Sequence, residues 1–309
     1  MKKKISIIIP FYNEKENIVN ILKEIEELII IENKYIFEVI LMDNDSNDGS
    51  STIVQDYLNK NSNIKYFKMS RNFGYQPNIK AGYDLCTGDA AVQLDADGED
   101  DPKLISKFIK LWEKGNDVVY GVRKKRKEFF LLSKLRNIFY KYMESFSDIK
   151  IPQGAGDFRL IDRKVINYLK TFKENNIYIR GIISFIGFKQ VGLEYERRER
   201  FSGKSKISLF NYFDISFSAI TSFTKTPLVL IFILGSSILL LSLFLLIFYI
   251  LLYLTGNINS PGFTTIILIQ LFFFGLLIFM LGVISIYIGY LLDEVKKRPT
   301  YIIDDDEKK

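Results

Sequence analysis

An open, mostly parallel α/β sheet followed by two membrane-crossing helices is the architecture this sequence predicts, on three observations. Short β-branched runs alternate with stretches of helical apolar spacing from Ile5 to Val122. Two of those runs end in acidic clusters. From Thr226 to Leu292 the chain contains no Asp, Glu, Lys or Arg, whereas the first two hundred residues carry charge at ordinary globular density.

The elements follow in order. Met1-Lys2-Lys3-Lys4 before Ile5 to Ile9 has the look of a signal-peptide start, but the apolar run is too short and Pro10 ends it, so a buried strand and no export signal are expected. Asn13 to Leu28 has helical spacing. Phe37 to Met42 reads as a second strand, ending at Asp43-Asn44-Asp45-Ser46, and Ser51 to Leu58 as the next helix. Ile64 to Met69 is a third strand, Ala90 to Leu94 a fourth that ends at Asp95-Ala96-Asp97, and Val118 to Val122 a fifth. Sheets of this kind bind ligands beyond the carboxyl ends of their strands, where both acidic clusters fall. Lys124 to Phe146 is basic and aromatic with helical spacing, Gly154 to Arg159 reads as a tight turn, and Ser70 to Gly74 as a turn beside the cleft.

The charge-free tract is long enough for two passes, placed at Pro227 to Leu254 and Phe263 to Leu292 within 227–292, with an uncharged turn between them. Lys206 to Thr224 is an amphipathic segment expected to lie in the membrane interface, within a juxtamembrane region 206–226. Basic residues flank the pair at Lys225 and at Lys296-Lys297-Arg298, and none sits in the turn. The domain 1–205, the tail 293–309 and both termini are therefore expected in the cytoplasm. Asp304 to Glu307 reads as a solvated end.

Composition narrows the chemistry. The chain has no histidine, which excludes His-based acid/base catalysis and His-ligated metals. Its lone cysteine, Cys86, reads as a buried structural thiol. A net charge of +6 suits anionic lipid, a diphosphate or nucleic acid alike. Asp95 and Asp97 at a strand end repel one another unless a cation lies between them. Oxygen-only ligation then favours Mg²⁺ or Mn²⁺, with Glu99 as a third ligand.

Taken as an ordered set, several segments resemble the successive motifs of family 2 glycosyltransferases with the GT-A (Rossmann-like) fold. They are Ile7 to Glu14, Asp43 to Ser50, Leu94 to Asp97, Gly156 to Leu160 and Arg200 to Lys206. Within that family the chain is similar to the polyprenyl-phosphate sugar transferases, over nearly its whole length and including Glu294 to Pro299. The resemblance implies that Pro10, Tyr12 and Glu14 line the pocket for base and ribose, with Asp43 and Asp45 beside them. It implies that Asp95, Ala96 and Asp97 meet ribose, metal and diphosphate, that Glu99 completes the metal shell, and that Arg123 binds the nucleotide-sugar. Arg200, Ser202 and Lys206 would hold phosphate, and Asp157, with Arg159, would face the reaction centre as a general base or an orienting group.

Three positions depart from the family pattern. Asp43-Asn44-Asp45-Ser46 stands where Asp-Asp-Gly-Ser is frequent, Glu99 where Gln is common, and Asp100-Asp101-Pro102 where Asp-Pro-Pro is usual.

The expected activity is inverting transfer of a hexose, glucose foremost, from a UDP-sugar to undecaprenyl phosphate at the cytoplasmic face of a bacterial inner membrane. A homo-oligomer is compatible with this reading and no nucleic-acid partner is implied. GDP-mannose is the alternative donor. A polymer acceptor is disfavoured by the short membrane part and the lack of a Gln-x-x-Arg-Trp run, and an inactive scaffold by the intact Asp95, Asp97, Asp157 and Arg200.

Overall fold

The computed structural model of the chain describes residues 2–58, 63–124, 154–175, 177–202, 226–255 and 263–304. It divides into two units, one made of Met1–Ala219 with Lys297–Lys309 and one of Ile220–Lys296.

The first unit is built on a seven-stranded sheet: β1 (Lys4–Phe11), β2 (Ile36–Asp43), β3 (Ile64–Lys68), β4 (Ala90–Gln93), β5 (Val118–Arg123), β6 (Ala155–Asp162) and β7 (Gln190–Tyr195), in the order β3-β2-β1-β4-β6-β5-β7. All pairs are parallel except those of β6, which runs antiparallel to β4 and β5. Helices α1 (Ile18–Ile31), α2 (Ser50–Leu58), α3 (Tyr75–Leu85), α4 (Leu104–Glu113), α5 (Arg163–Leu169) and α6 (Ile179–Ile186) connect the strands.

β1 is apolar on both sides because both sides are covered. Ile5, Ile7 and Ile9 join Val39, Leu41, Val92, Phe158 and Leu160 in a core closed by Ile21 and Ile25 of α1 and Phe108 and Trp112 of α4. The opposite face meets α3 so closely that a Cβ at Gly82 would lie 2.2 Å from Ile8 Cγ2.

Two readings of the sequence are corrected. The segment expected to be a turn at 154–159 is one only at Gly154 (φ +75°); β6 begins at Ala155, with Phe158 and Leu160 facing the core while Asp157 and Arg159 take the other side. The first helix begins at Ile18, because residues 13–17 form a loop with Asn13 in the left-handed region (φ +56°). The basic segment from Lys125 to Phe146 and the amphipathic segment from Lys206 to Thr224 lie outside the described residues.

Residues 301–304 are tied to the first unit, whereas 305–307 of the expected solvated end lie outside the described residues. Ile303 forms an antiparallel bridge with Met69, Ser70 N–H donates to Ile302 O (3.0 Å), Asp304 N–H donates to Lys68 O (2.9 Å), and Tyr301 Oη donates to Asp84 Oδ2 (3.0 Å).

The second unit holds two long helices over the charge-free tract, α7 (Thr226–Leu254) and α8 (Phe263–Lys296). Among the described residues, Phe272–Lys296 is by length and composition apolar enough to cross a membrane.

Candidate active site

The chemistry gathers at the carboxyl edge of the sheet, on the loops that follow β1, β2 and β4 and on the segment 196–202 after β7. Immediately beyond β4, Asp95 Oδ1 accepts from Tyr75 Oη (2.6 Å) and Gln93 Nε2 (2.8 Å). Burial, reinforced by the neighbouring Asp97 and Asp100 carboxylates, pushes the Asp95 carboxyl up to about 7. Burial likewise raises Asp97, although its Oδ1 accepts the Glu99 N–H (3.1 Å). Asp100 is wholly buried and meets Tyr195 Oη, Arg197 Nε (3.3 Å) and Arg123 Nη2 (3.6 Å).

Segment 197–202 is stitched along this acidic loop by backbone bonds, Arg198 N–H to Glu99 O (2.9 Å) and Phe201 N–H to Asp97 O (3.2 Å). Its three arginines enter the cluster at different points. Arg197 pairs with Glu99 and Asp100 and stands 4.0 Å from Asp95. Arg198 pairs with Glu24 (3.0 Å). Arg200 pairs with Glu14, whose other oxygen accepts from Asn17 Nδ2 (2.6 Å), and its Nε donates to Ser202 O (3.0 Å). The expected nucleotide residue Glu14 and the expected phosphate residues Arg200 and Ser202 are thus brought together. Lys206 lies outside the described residues.

The loops after β1 and β2 interlock. Asn13 Oδ1 accepts Asn47 N–H (2.8 Å) and Asn13 N–H donates to Ser46 Oγ (2.9 Å). Asp43, expected beside the nucleotide, is instead wholly buried, accepting from Ser46 N–H (2.8 Å), Ser51 Oγ (2.6 Å) and Tyr66 Oη (2.8 Å). That carboxylate organises the loop. Asp45, left-handed at φ +64° and 3.6 Å from Lys68, is the one turned toward solvent. Pro10 and Ala96 are buried and Tyr12 is half-buried. Asn44 ties this region to the loop after β3, donating to Asn72 Oδ1 (2.8 Å) and accepting from Phe73 N–H (2.9 Å).

On β6, Asp157 and Arg159 share one face and both are buried. Asp157 accepts a forked pair from Arg180, Nε to Oδ1 at 2.9 Å and Nη2 to Oδ2 at 3.0 Å. Burial alone would raise the Asp157 carboxyl, but the Arg180 and Arg159 guanidiniums outweigh it and hold it below the usual carboxylate range. Arg159 donates to Gly156 O (2.6 Å), and its buried Nε has no hydrogen-bond partner.

The fit of a divalent cation follows from this donor set. Asp95 and Asp97 supply hard oxygen ligands in a spot where burial and mutual repulsion leave negative charge undercompensated, which suits Mg²⁺ or Mn²⁺. The expected third ligand is corrected: Glu99 is engaged by Arg197, and among the described residues no three His, Cys, Asp or Glu side chains are gathered for a metal. A two-carboxylate site completed by substrate oxygens is what the arrangement accommodates.

Tyr75, Gln93, Arg180 and Arg197 belong to this cluster and were not singled out in the sequence. Only Arg197, in the run Arg197-Arg198-Glu199-Arg200 beside the recognised motif, carried a local signal.

Comparison with known proteins places this geometry in context. The sequence model described as Glycosyl transferase family 2 matches residues 6–169, more than half the chain. The uncharacterized glycosyltransferase YkcC of Bacillus subtilis (strain 168) is 40% identical over 301 residues, covering 96% of this chain and 92% of that one. The bactoprenol glucosyl transferase of Shigella phage SfV is 31% identical over 307 residues, covering 99% and 100%. A mannosyltransferase from Pyrobaculum calidifontis, solved with GDP-Man and Mn²⁺, aligns at TM-score 0.46 and 18% identity over 63% of this chain and 55% of that one.

Proposed function

Because this chain belongs to glycosyl transferase family 2 and is a glycosyltransferase, we propose that it moves glucose, with inversion, from UDP-glucose to undecaprenyl phosphate at the cytoplasmic face of a bacterial membrane. The observation that carries this reading is the gathering of Arg123 and Arg197 on Asp100, with Arg197 4.0 Å from Asp95, and of Arg200 on Glu14, at the carboxyl edge of the sheet.

Departure of a nucleoside diphosphate builds negative charge on its phosphate oxygens, and fixed cations lower the cost of that charge in a site shielded from water. Arg123 and Arg197 are held in place by Asp100, and Arg200 by Glu14, so all three are oriented before substrate arrives. A divalent ion on Asp95 and Asp97 would supply additional Lewis-acid stabilisation of the diphosphate. Tyr75 and Gln93 fix the rotamer of Asp95. The ribose and base fall to Tyr12, Glu14 and Asp45 on the loops beyond β1 and β2.

The acceptor follows from two features. The phage relative of matching length is named for bactoprenol, and helices α7 and α8, free of charge from Thr226 to Leu254 and from Phe263 to Leu292, suit a chain that works beside a long isoprenoid in the bilayer. Such a phosphate monoester is largely ionised at neutral pH, with a second pKa of about 6, and needs little base assistance.

Full-length protein in detergent, given Mg²⁺ or Mn²⁺, labelled UDP-glucose and short-chain polyprenyl phosphate, should yield organic-soluble label. GDP-mannose in its place should not. Label appearing only in water-soluble polymer, or none with any donor, overturns the proposal.

A further inference from the structure

Arg180 lies in the first turn of α6, a place where the helix dipole disfavours a cation. It is the only charged residue of that helix, and Ile179, Ile182 and Ile183 beside it are buried. Its position is set from three directions. Nε and Nη2 fork onto the two oxygens of Asp157, and Nη1 donates to Ala155 O at 3.2 Å, so the guanidinium plane is fixed against two residues of β6. The start of α6 is itself pinned, because Ile179 N–H donates to Gln76 Oε1 (3.0 Å). Gln76 follows Tyr75, the residue that holds Asp95. Two helix starts, those of α3 and α6, therefore fix two carboxylates of the candidate site, one through a tyrosine and one through an arginine.

This arrangement bears on the acceptor. A lone carboxylate at the reaction centre would suit a hydroxyl acceptor, whose proton must be removed, but would repel an incoming phosphate. A carboxylate locked in a bidentate pair carries no net charge toward that phosphate and has both oxygens engaged.

We propose that Arg180 is a positioning residue of the transfer: its fork fixes the plane of the Asp157 carboxylate, so that an already ionised phosphate acceptor meets an oriented, neutralised pair in place of a free base. The inference rests on the polyprenyl-phosphate reading above and deepens it, making the Asp157–Arg180 pair the element that admits an anionic acceptor.

The test uses full-length protein in detergent, UDP-glucose and short-chain polyprenyl phosphate. Arg180→Gln should lower kcat by at least about tenfold. UDP affinity, read by calorimetry, should stay within about twofold, because ground-state donor binding is untouched. Arg180→Lys, which restores the charge without the fork, should recover part of the rate. The double variant Asp157→Asn/Arg180→Gln should be no slower than the slower single variant, since both remove one pair.

Arg180→Gln with unaltered kcat, or a double variant whose loss is the product of the two single losses, overturns the proposal. Should Arg180→Gln lose UDP binding, Arg180→Lys decides: reduced kcat with intact UDP affinity supports the positioning role, and full kcat refutes it. Wild-type protein that makes no lipid-linked product instead sinks the underlying reading, and this inference with it.

Discussion

Replacing Gly98 by alanine perturbs the site at the point where two loops touch. Gly98 sits at φ +75°, and a Cβ built there would lie 2.0 Å from Phe201 Cε2, 2.1 Å from Cδ2 and 2.6 Å from Cζ. Carbon atoms rest at roughly 3.5–4.0 Å, so the ring must retreat by about 1.5 Å. The left-handed backbone adds about 1–2 kcal/mol for any residue with a Cβ. Phe201 is tied to Asp97 O and adjoins Arg200, so the displacement is passed to the guanidinium that pairs with Glu14. A shift of about 1 Å in a substrate-positioning group can cost about a hundredfold in rate, and a loss between ten- and a hundredfold in kcat/KM is expected. Tm should fall by only about 2–8 °C, following from the backbone cost. Steady-state kinetics with UDP-glucose, scanning calorimetry, and the double variant Gly98→Ala/Phe201→Ala form the assay. In the double variant the clash is gone, and removing the ring should cost nothing beyond Gly98→Ala alone. Gly98→Ala with wild-type kcat/KM would refute the idea that segment 197–202 is positioned by this contact.

Other perturbations follow from the same geometry. Asp97→Asn should weaken Mn²⁺ binding, read by electron paramagnetic resonance, by at least about tenfold, whereas Glu99→Gln should change it far less because Glu99 faces Arg197; equal losses would restore Glu99 as a ligand. Tyr75→Phe removes one of two hydrogen bonds to Asp95 and should cost about 1 kcal/mol, seen as a donor KM several-fold higher with little change in Tm.

Glu38 offers a pH test at the opposite end of the sheet. Burial would raise its carboxyl, yet bonds from Lys4, Ser6 and Thr87 outweigh that and hold it at about 2, against an ordinary 4.5. A depressed carboxylate contributes stability above its unfolded value and loses it as pH falls toward the folded one. Glu38→Gln should therefore be less stable than wild type by at most about 3 kcal/mol at pH 7, with the gap closing between pH 5 and about 2 in urea titrations. Gly82→Ala drives a methyl into Ile8 and should cost about 1–3 kcal/mol in the same titrations.

What the sequence disclosed depended on whether a signal was local. The strands β2 and β4 are apolar runs that stop at acidic clusters, so their extents and the carboxylates at their ends were readable together, and β1 is a β-branched run legible by itself. β6 was hidden because Gly154 and Gly156 read as turn residues. Only the first of them turns; at Gly156 the missing side chain makes room for Arg123, whose Nη2 would lie 3.1 Å from a Cβ there. β7 is a sheet-edge strand with a weak alternation. The three internal donors of Asp43 were not legible for a related reason: a carboxylate in a strand-end cluster looks alike whether it faces a ligand or donors of its own chain. Tyr75 and Arg180 had no local mark, since their partners lie 20 and 23 residues away in sequence and are chosen by the packing of α3 and α6 against the sheet.

The return of the chain after α8 makes the first unit a discontinuous one, with the long helices as an excursion from it. A fragment cut before Thr226 would expose the main-chain groups of Lys68 and Ser70 that Ile302 and Asp304 now satisfy, and would strip Tyr301 from α3. A version of this enzyme without the long helices is therefore better made by splicing, with a flexible linker standing in for them and residues 297–304 retained, than by truncation.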